Sequence, residues 1–228
     1  MSAQTPPRFV ALNGFAEVGK STVQRMIEHH YAIVPADDGK PLREAVKALY
    51  SLDDWHVYTH EGKRSTVDLP NGPRDIRQLL GDIGLKLDEL HGPEFIPWAA
   101  IRAAEKPYRD AAVAEFERME MPTGVDGLPS SDFRANFVQK IFDRTVPVFS
   151  FGSVRREQAR TYQAQGGVAV EIWNPAKPEP DKDFDRYNRA LCDATIVNDT
   201  PGLAALEAKV LAVFDPWFTR VSTQAFAA

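Results

Sequence analysis

Short apolar runs alternate along this chain with stretches whose apolar positions recur every three or four residues. The runs are 8–12, 32–35, 146–151 and Val168–Trp173, with a shorter fifth at Ala194–Val197. A helix-patterned or polar segment follows each; after the first, Val23, Met26 and Ile27 recur at helical spacing. That order predicts βαβ units, hence an α/β fold with a mostly parallel sheet of about five strands covered on both faces by helices.

About 110 residues separate the second and third runs, more than one crossover helix requires, and no comparable strand is predicted among them. Helices are predicted at 41–50, 75–90, 97–119 and 133–144. The second carries Ile76, Leu79, Leu80, Ile83 and Leu87 on one face. Residues 119–132 read as loop from their Pro, Gly and Ser content. Two further arginine-flanked loops stand out, 56–74 and 174–189. The second is rich in proline and charge and follows a strand, as a lid over a bound ligand would. Without internal repeats or low-complexity tracts, the expectation is one domain over 1–228, with a helical insertion at about 41–132 and a lid-like loop at about 174–189.

The strongest chemical signal lies between the first run and the first helix. Gly14-Phe15-Ala16-Glu17-Val18-Gly19-Lys20-Ser21 fits G-x-x-x-x-G-K-[ST] in the strand, loop, helix order that a phosphate-binding loop requires. Glycines let the backbone curl until successive N–H groups point inward, and the following helix directs its positive end at the same spot. Gly14, Ala16, Glu17, Val18, Gly19, Lys20, Ser21 and Thr22 are therefore the predicted ATP-binding residues. Lys20 would reach the β- and γ-phosphates, and the Ser21 hydroxyl would ligate Mg²⁺. No G-x-G-x-x-G is present, which argues against a dinucleotide-binding loop.

Composition narrows the partners. A formal charge of -5 over 228 residues disfavours a binder of nucleic-acid polymers and leaves room for a local basic pocket that holds a small anion. One cysteine, Cys192, excludes an intramolecular disulfide framework, and the five histidines show no metal-ligand spacing. There is no long apolar segment, and the N-terminal residues lack the apolar stretch of a signal peptide. A cytoplasmic protein with no membrane partner is expected.

Several segments taken in order resemble phage-type deoxynucleoside monophosphate kinases. "GPRDIRQLLGDIG" looks like the family's R-x-x-x-Q-x-x-G helix. "KPLREAV" follows the second strand, "SVRREQARTYQAQGGVAVEIW" spans the third and fourth, and "CDATIVNDTPGLAALEAKV" is similar to the closing strand and helix. The resemblance implies a P-loop, nucleoside-monophosphate-kinase-like three-layer fold that moves the γ-phosphoryl group of Mg²⁺-bound ATP to a dNMP, giving dNDP and ADP. It also implies a homodimer, and a host-cytoplasmic location if the protein is phage-encoded. Phosphoryl transfer asks mainly for positioned cations and a closed pocket, so arginines near strand ends are the candidates.

Read as a helix from Asp75, the segment would place Arg74 and Gln78, four apart, on one face toward the monophosphate and base, with Arg77 beside them. Arg155 and Arg156 are expected at the start of a helix after the third strand, where the helix dipole disfavours cations unless an anion is near. Arg155 matches the family's arginine there and is assigned to the substrate or the transferring phosphate. Arg186 and Arg189 are candidates for closing on ATP. Asp37, preferred over Asp38, ends the second strand and would orient the acceptor's surroundings or a Mg²⁺-bound water. Arg43 matches a basic position of the family facing the acceptor phosphate. Trp55, Tyr58 and Trp98 suit either base stacking or core packing. Many relatives carry an aspartate just before the arginine of the third motif. This chain has Gly152-Ser153-Val154-Arg155, so that acidic group must be replaced by Asp37, by Ser153 through water, or be lost together with activity. Other open readings are a kinase of another small acceptor, such as a nucleoside or dephospho-CoA, and a nucleotide-binding protein without phosphotransfer.

Overall fold

The computed structural model describes residues 6–119, 131–179 and 186–221. Its strands are β1 (Phe9–Asn13), β2 (Val34–Ala36), β3 (Thr66–Leu69), β4 (Gly72–Asp75), β5 (Phe149–Val154), β6 (Val168–Trp173) and β7 (Ala194–Val197). Five of them form one parallel sheet in the order β2-β5-β1-β6-β7, which puts the strand before the phosphate loop at the centre. The predicted α/β class and five-stranded sheet are what the structure has.

Strand alternation builds the layers. Successive side chains of a strand point to opposite faces, and β1 divides accordingly. Val10 and Leu12 pack with Val23 and Ile27 of α1 (Lys20–Tyr31), and with Leu206, Val210 and Phe214 of a C-terminal helix, Leu203–Phe214. Phe9 and Ala11 face the other way, onto Ala100, Ile101, Ala159 and Tyr162. All four β1 side chains are at most 1% exposed, so they lie on the main apolar term of the fold.

Between β2 and β5 lie α2 (Lys40–Tyr50), a short α3 (Asp54–Tyr58), the β3–β4 hairpin, α4 (Ile76–His91), α5 (Phe95–Arg118) and α6 (Ser131–Thr145). Helices α7 (Ala159–Ala164) and α8 (Leu203–Phe214) follow. The insertion is therefore helical as predicted, but not strand-free: the predicted 56–74 loop starts inside α3 and takes in nearly all of an antiparallel hairpin with Val67 opposite Arg74. Strands of four residues with only half-buried inward positions give almost no hydrophobic signal. Helix α5 is tied to the residue before β1 by the buried Glu105, which takes Arg8 Nη2 at 2.9 Å and, from its own helix, Arg109 Nη2 at 3.0 Å. Most of the predicted 119–132 loop, and 180–185 of the lid-like loop, lie outside the described residues; α6 already begins at Ser131. Among the described residues no helix is long and apolar enough to cross a membrane.

Candidate functional site

The loop between β1 and α1 is held by its own backbone and by both neighbours. Gly14 has φ 147°, and a Cβ there would lie 2.5 Å from the Ile172 carbonyl oxygen of β6, so only glycine fits this turn. On the opposite side Asn198, just past β7, donates from Nδ2 to the Val18 carbonyl at 2.9 Å. Phe15 and Val18 are buried, which fixes the loop from below, while Ala16 and Glu17 are exposed at its tip. Lys20 Nζ donates back to the Gly14 carbonyl at 2.7 Å and to that of Phe15, which keeps the ammonium inside the loop. No side chain caps α1, whose first turn carries Ser21, exposed, and Thr22, half-buried. Uncapped first-turn N–H groups around an ammonium form the donor set that phosphate oxygens accept. The residues present thus fit the phosphates of a nucleotide, with the exposed Ser21 hydroxyl on the same first turn of α1.

A cleft of about 420 Å³ opens where β2 and β5 end, beside this loop. Asn13 pairs with Val154, so the chain leaving β5 enters the cleft next to the loop's first glycine. Its lining includes six cations, Arg43, Lys63, Arg64, Arg77, Arg155 and Arg156, together with His60 and two carboxylates, Asp38 and Asp88. Burial holds the Lys63 ammonium below its usual range, and repulsion from Arg43 adds to the shift. Arg43 is bound by Asp37, stacks 5.1 Å from the Tyr58 ring centre, and keeps a buried Nε without a hydrogen-bond partner. Cations crowded into one concavity favour an anion between them.

Asp38 is 7% exposed, and burial pushes its carboxyl up to about 6 against the attraction of Arg155. Asp37 lies outside the cleft lining, accepting from the Gly39 N–H at 3.0 Å and from Arg43. The carboxylate that faces the cleft is therefore the second of the pair.

Other candidates are also placed differently from the sequence expectation. Asp75 is the N-cap of α4, accepting from the Gln78 N–H at 2.9 Å, so Arg74 lies on β4 and shares no helix face with Gln78. Gln78 is exposed, and neither it nor Arg74 lines the cleft; Arg77 does. Arg155 and Arg156 precede α7 instead of starting it. Arg156 has φ 47° and pairs through its backbone with the strap around Tyr187, its N–H donating to the Arg186 carbonyl at 2.7 Å. Arg189 Nε lies 3.0 Å from Glu171 Oε1, and its guanidinium stands 5.6 Å from the Phe15 ring centre and 5.8 Å from that of Trp173. Glu171 is buried on β6 and also accepts from Tyr187 Oη at 2.6 Å and Thr195 Oγ1 at 3.0 Å. Arg186 is exposed on the same strap. Trp55, Tyr58 and Trp98 are all substantially exposed, so none is a core residue, and only Tyr58 lines the cleft.

His60, Lys63, Arg64, Asp88 and Glu171 were not singled out from the sequence. The first three lie in a segment without periodicity. Glu171 carried a usable signal, since a charged residue inside the apolar run Val168–Trp173 needs buried partners.

Together these features define a P-loop α/β protein with a second, cation-lined cleft beside the loop. No protein-family model matches the sequence, and no curated protein sequence does either. Among solved structures, the chain is similar in outline to an unliganded sugar kinase from Janibacter sp. HTCC2649, at 14% identity and TM-score 0.37 over 92% of this chain and 95% of that one. It is also similar to a dephospho-CoA kinase from Campylobacter jejuni, at 10% identity and TM-score 0.34 over 92% and 97%.

Proposed function

We propose that the protein transfers the γ-phosphoryl group of ATP to a small anionic acceptor, and that the acceptor is a deoxynucleoside monophosphate. The observation that carries this reading is the six-cation cleft next to an uncapped phosphate loop. Mg²⁺-bound ATP supplies the transferable group, and Ser21 would be the metal's protein ligand. The chain's own residues then have distinct tasks. Lys20 gives up the Gly14 and Phe15 carbonyls for phosphate oxygens. Arg155, between loop and cleft, neutralises charge where the two substrates meet, and Arg43, Lys63, Arg64 and Arg77 hold the acceptor phosphate. Asp38, opposite Arg155, supplies the carboxylate missing before that arginine, and Arg186 and Arg189 belong to the strap that closes the nucleotide side.

The test is ADP release from Mg-ATP with each dNMP and ribonucleotide, alongside Lys20→Ala. Turnover that needs both Lys20 and a dNMP is expected; ATP binding with no dNMP-dependent ADP release overturns the reading. The burial of Asp38 favours one second reading. A carboxylate pushed up to about 6 suits a general base toward a hydroxyl, so the acceptor would be a nucleoside or another alcohol. Turnover with such an acceptor and with no dNMP selects it.

A further inference from the structure

The tip of the phosphate loop carries a residue that phosphate binding alone does not call for. Glu17 is exposed there with φ 60°, in the left-handed region that a residue with a Cβ adopts only against steric resistance. Its carboxylate also stands at the mouth of a site built for anions, where it repels them. Glycine at this position would remove both penalties, so the side chain has a task of its own.

What it holds is Lys177. The Lys177 Nζ donates to Glu17 Oε2 at 3.0 Å, from side chains that are 37% and 77% exposed respectively. Lys177 comes from a turn directly after β6, where Asn174 accepts the Ala176 N–H on Oδ1 at 2.9 Å and the Lys177 N–H on its carbonyl at 3.0 Å. The turn fixes the root of the side chain, while its four-carbon stem leaves the ammonium able to swing. His60 and Arg64 of the cleft lining attract Glu17 as well. With Lys177 foremost, they hold its carboxyl below the ordinary range, so it is charged at neutral pH.

On the reading that this loop holds the triphosphate of ATP, we propose that Glu17 keeps the Lys177 ammonium at the loop mouth until the terminal phosphate takes it over. The exchange lets the site tell ATP from ADP. A terminal phosphate carries more negative charge than a carboxylate and offers three acceptor oxygens, so it wins the ammonium. ADP ends at the β-phosphate, which the loop's N–H groups and Lys20 enclose, and it leaves the Glu17–Lys177 pair intact. Repulsion from Glu17 then acts on ADP with no compensating contact. The pair thus favours entry of the substrate nucleotide and departure of the product.

The experiment is calorimetric titration of the full chain, in Mg²⁺, with ADP and with the β,γ-imido analogue of ATP. The proteins compared are wild type, Lys177→Gln, Lys177→Arg, Glu17→Gln and the double variant Glu17→Gln with Lys177→Gln. Lys177→Gln should cut the preference for the analogue over ADP by about 10-fold, the effect of one hydrogen bond between charged groups. Lys177→Arg should keep it within about 3-fold of wild type. Glu17→Gln should tighten the analogue by about 5-fold when Lys177 is present and by no more than about 2-fold when it is not. The difference is the exposed pair that no longer has to be broken. A preference unchanged in Lys177→Gln, or equal tightening in both backgrounds, overturns this inference and leaves ATP binding at the loop standing. Protein that binds neither nucleotide removes that reading with it. Neither residue belongs to the apolar core, so the variants keep the fold.

Discussion

Asp37 and Asp38 are adjacent in sequence and lie in opposite surroundings, the first partly exposed and bound by Arg43, the second buried against the cleft. The contrast predicts a pH-dependent stability. The Asp38 carboxyl titrates near 3.8 when unfolded and at about 6 in the fold, because burial outweighs Arg155. Between those values the folded chain holds the proton more often than the unfolded one, so stability falls as pH rises. The favourable contribution is full below 3.8 and lost as pH passes through about 6. The shift is equivalent to about 3 kcal/mol. Asp38→Asn should therefore raise the melting temperature at pH 7.5 by roughly 6–12 °C, with the gain disappearing below pH 4. Melting curves of both proteins across that range check it, and a gain that persists in acid would show that packing, not titration, is responsible.

Lys20 spans the loop from inside, donating to the Gly14 and Phe15 carbonyls. Those bonds are the ones a bound phosphate replaces, so they hold the ammonium in reserve more than they hold the fold. Lys20→Ala should lower turnover by about 10²–10³-fold, as loss of one transition-state donor does. Its stability should change by only about 1–2 kcal/mol, the net worth of two hydrogen bonds. Initial rates and a denaturant titration on the same preparation separate the two effects.

Glu171 organises three elements at once. Tyr187 and Arg189 of the strap and Thr195 of β7 all end on its carboxylate. Glu171→Ala leaves Tyr187 Oη and Thr195 Oγ1 without that acceptor, whereas Arg189, at 44% side-chain exposure, can turn to water. The expected cost is about 2–4 kcal/mol, toward the low end for a buried ion pair. Because the strap also bridges to Arg156, amide exchange should accelerate first over 186–191 and then at 155–157. Uniform acceleration through β1 and β6 instead would mean that Glu171 serves the sheet and not the strap.

The sheet and the phosphate loop were legible because both leave dense local signals: five apolar runs, and eight residues of fixed spacing. The cleft was not, because it is assembled from elements distant in sequence, with Arg43 on α2, Lys63 before the hairpin, Arg77 and Asp88 on α4, and Arg155 after β5. Choosing Asp38 over Asp37 required knowing how the chain turns after β2, a strand of only three residues. The Arg74 and Gln78 pairing failed on helix phase: with Asp75 as cap, Arg74 belongs to the strand before α4. Arg156 broke the helix-start expectation through a left-handed backbone that nothing in "SVRREQAR" announces, arginine being an uncommon residue there.

Gly14 tests whether the loop's shape is imposed by the sheet or by the ligand. Its φ of 147° is disfavoured for any other residue, and a Cβ would sit 2.5 Å from Ile172 O and 2.9 Å from Val18 Cγ2. Val18 can turn aside, but the carbonyl belongs to a strand paired on both sides and cannot. Gly14→Ala should therefore destabilise the protein by about 1–3 kcal/mol in the absence of nucleotide, the usual cost of one residue forced into such a conformation. Because the first turn of α1 is displaced with the loop, ATP affinity should fall as well, unlike a change that acts on the ammonium alone. A melting curve without ligand, followed by an ATP titration, reads both. An unaltered melting temperature with lost ATP binding would mean that the loop takes its shape from the nucleotide and is held only loosely by β6.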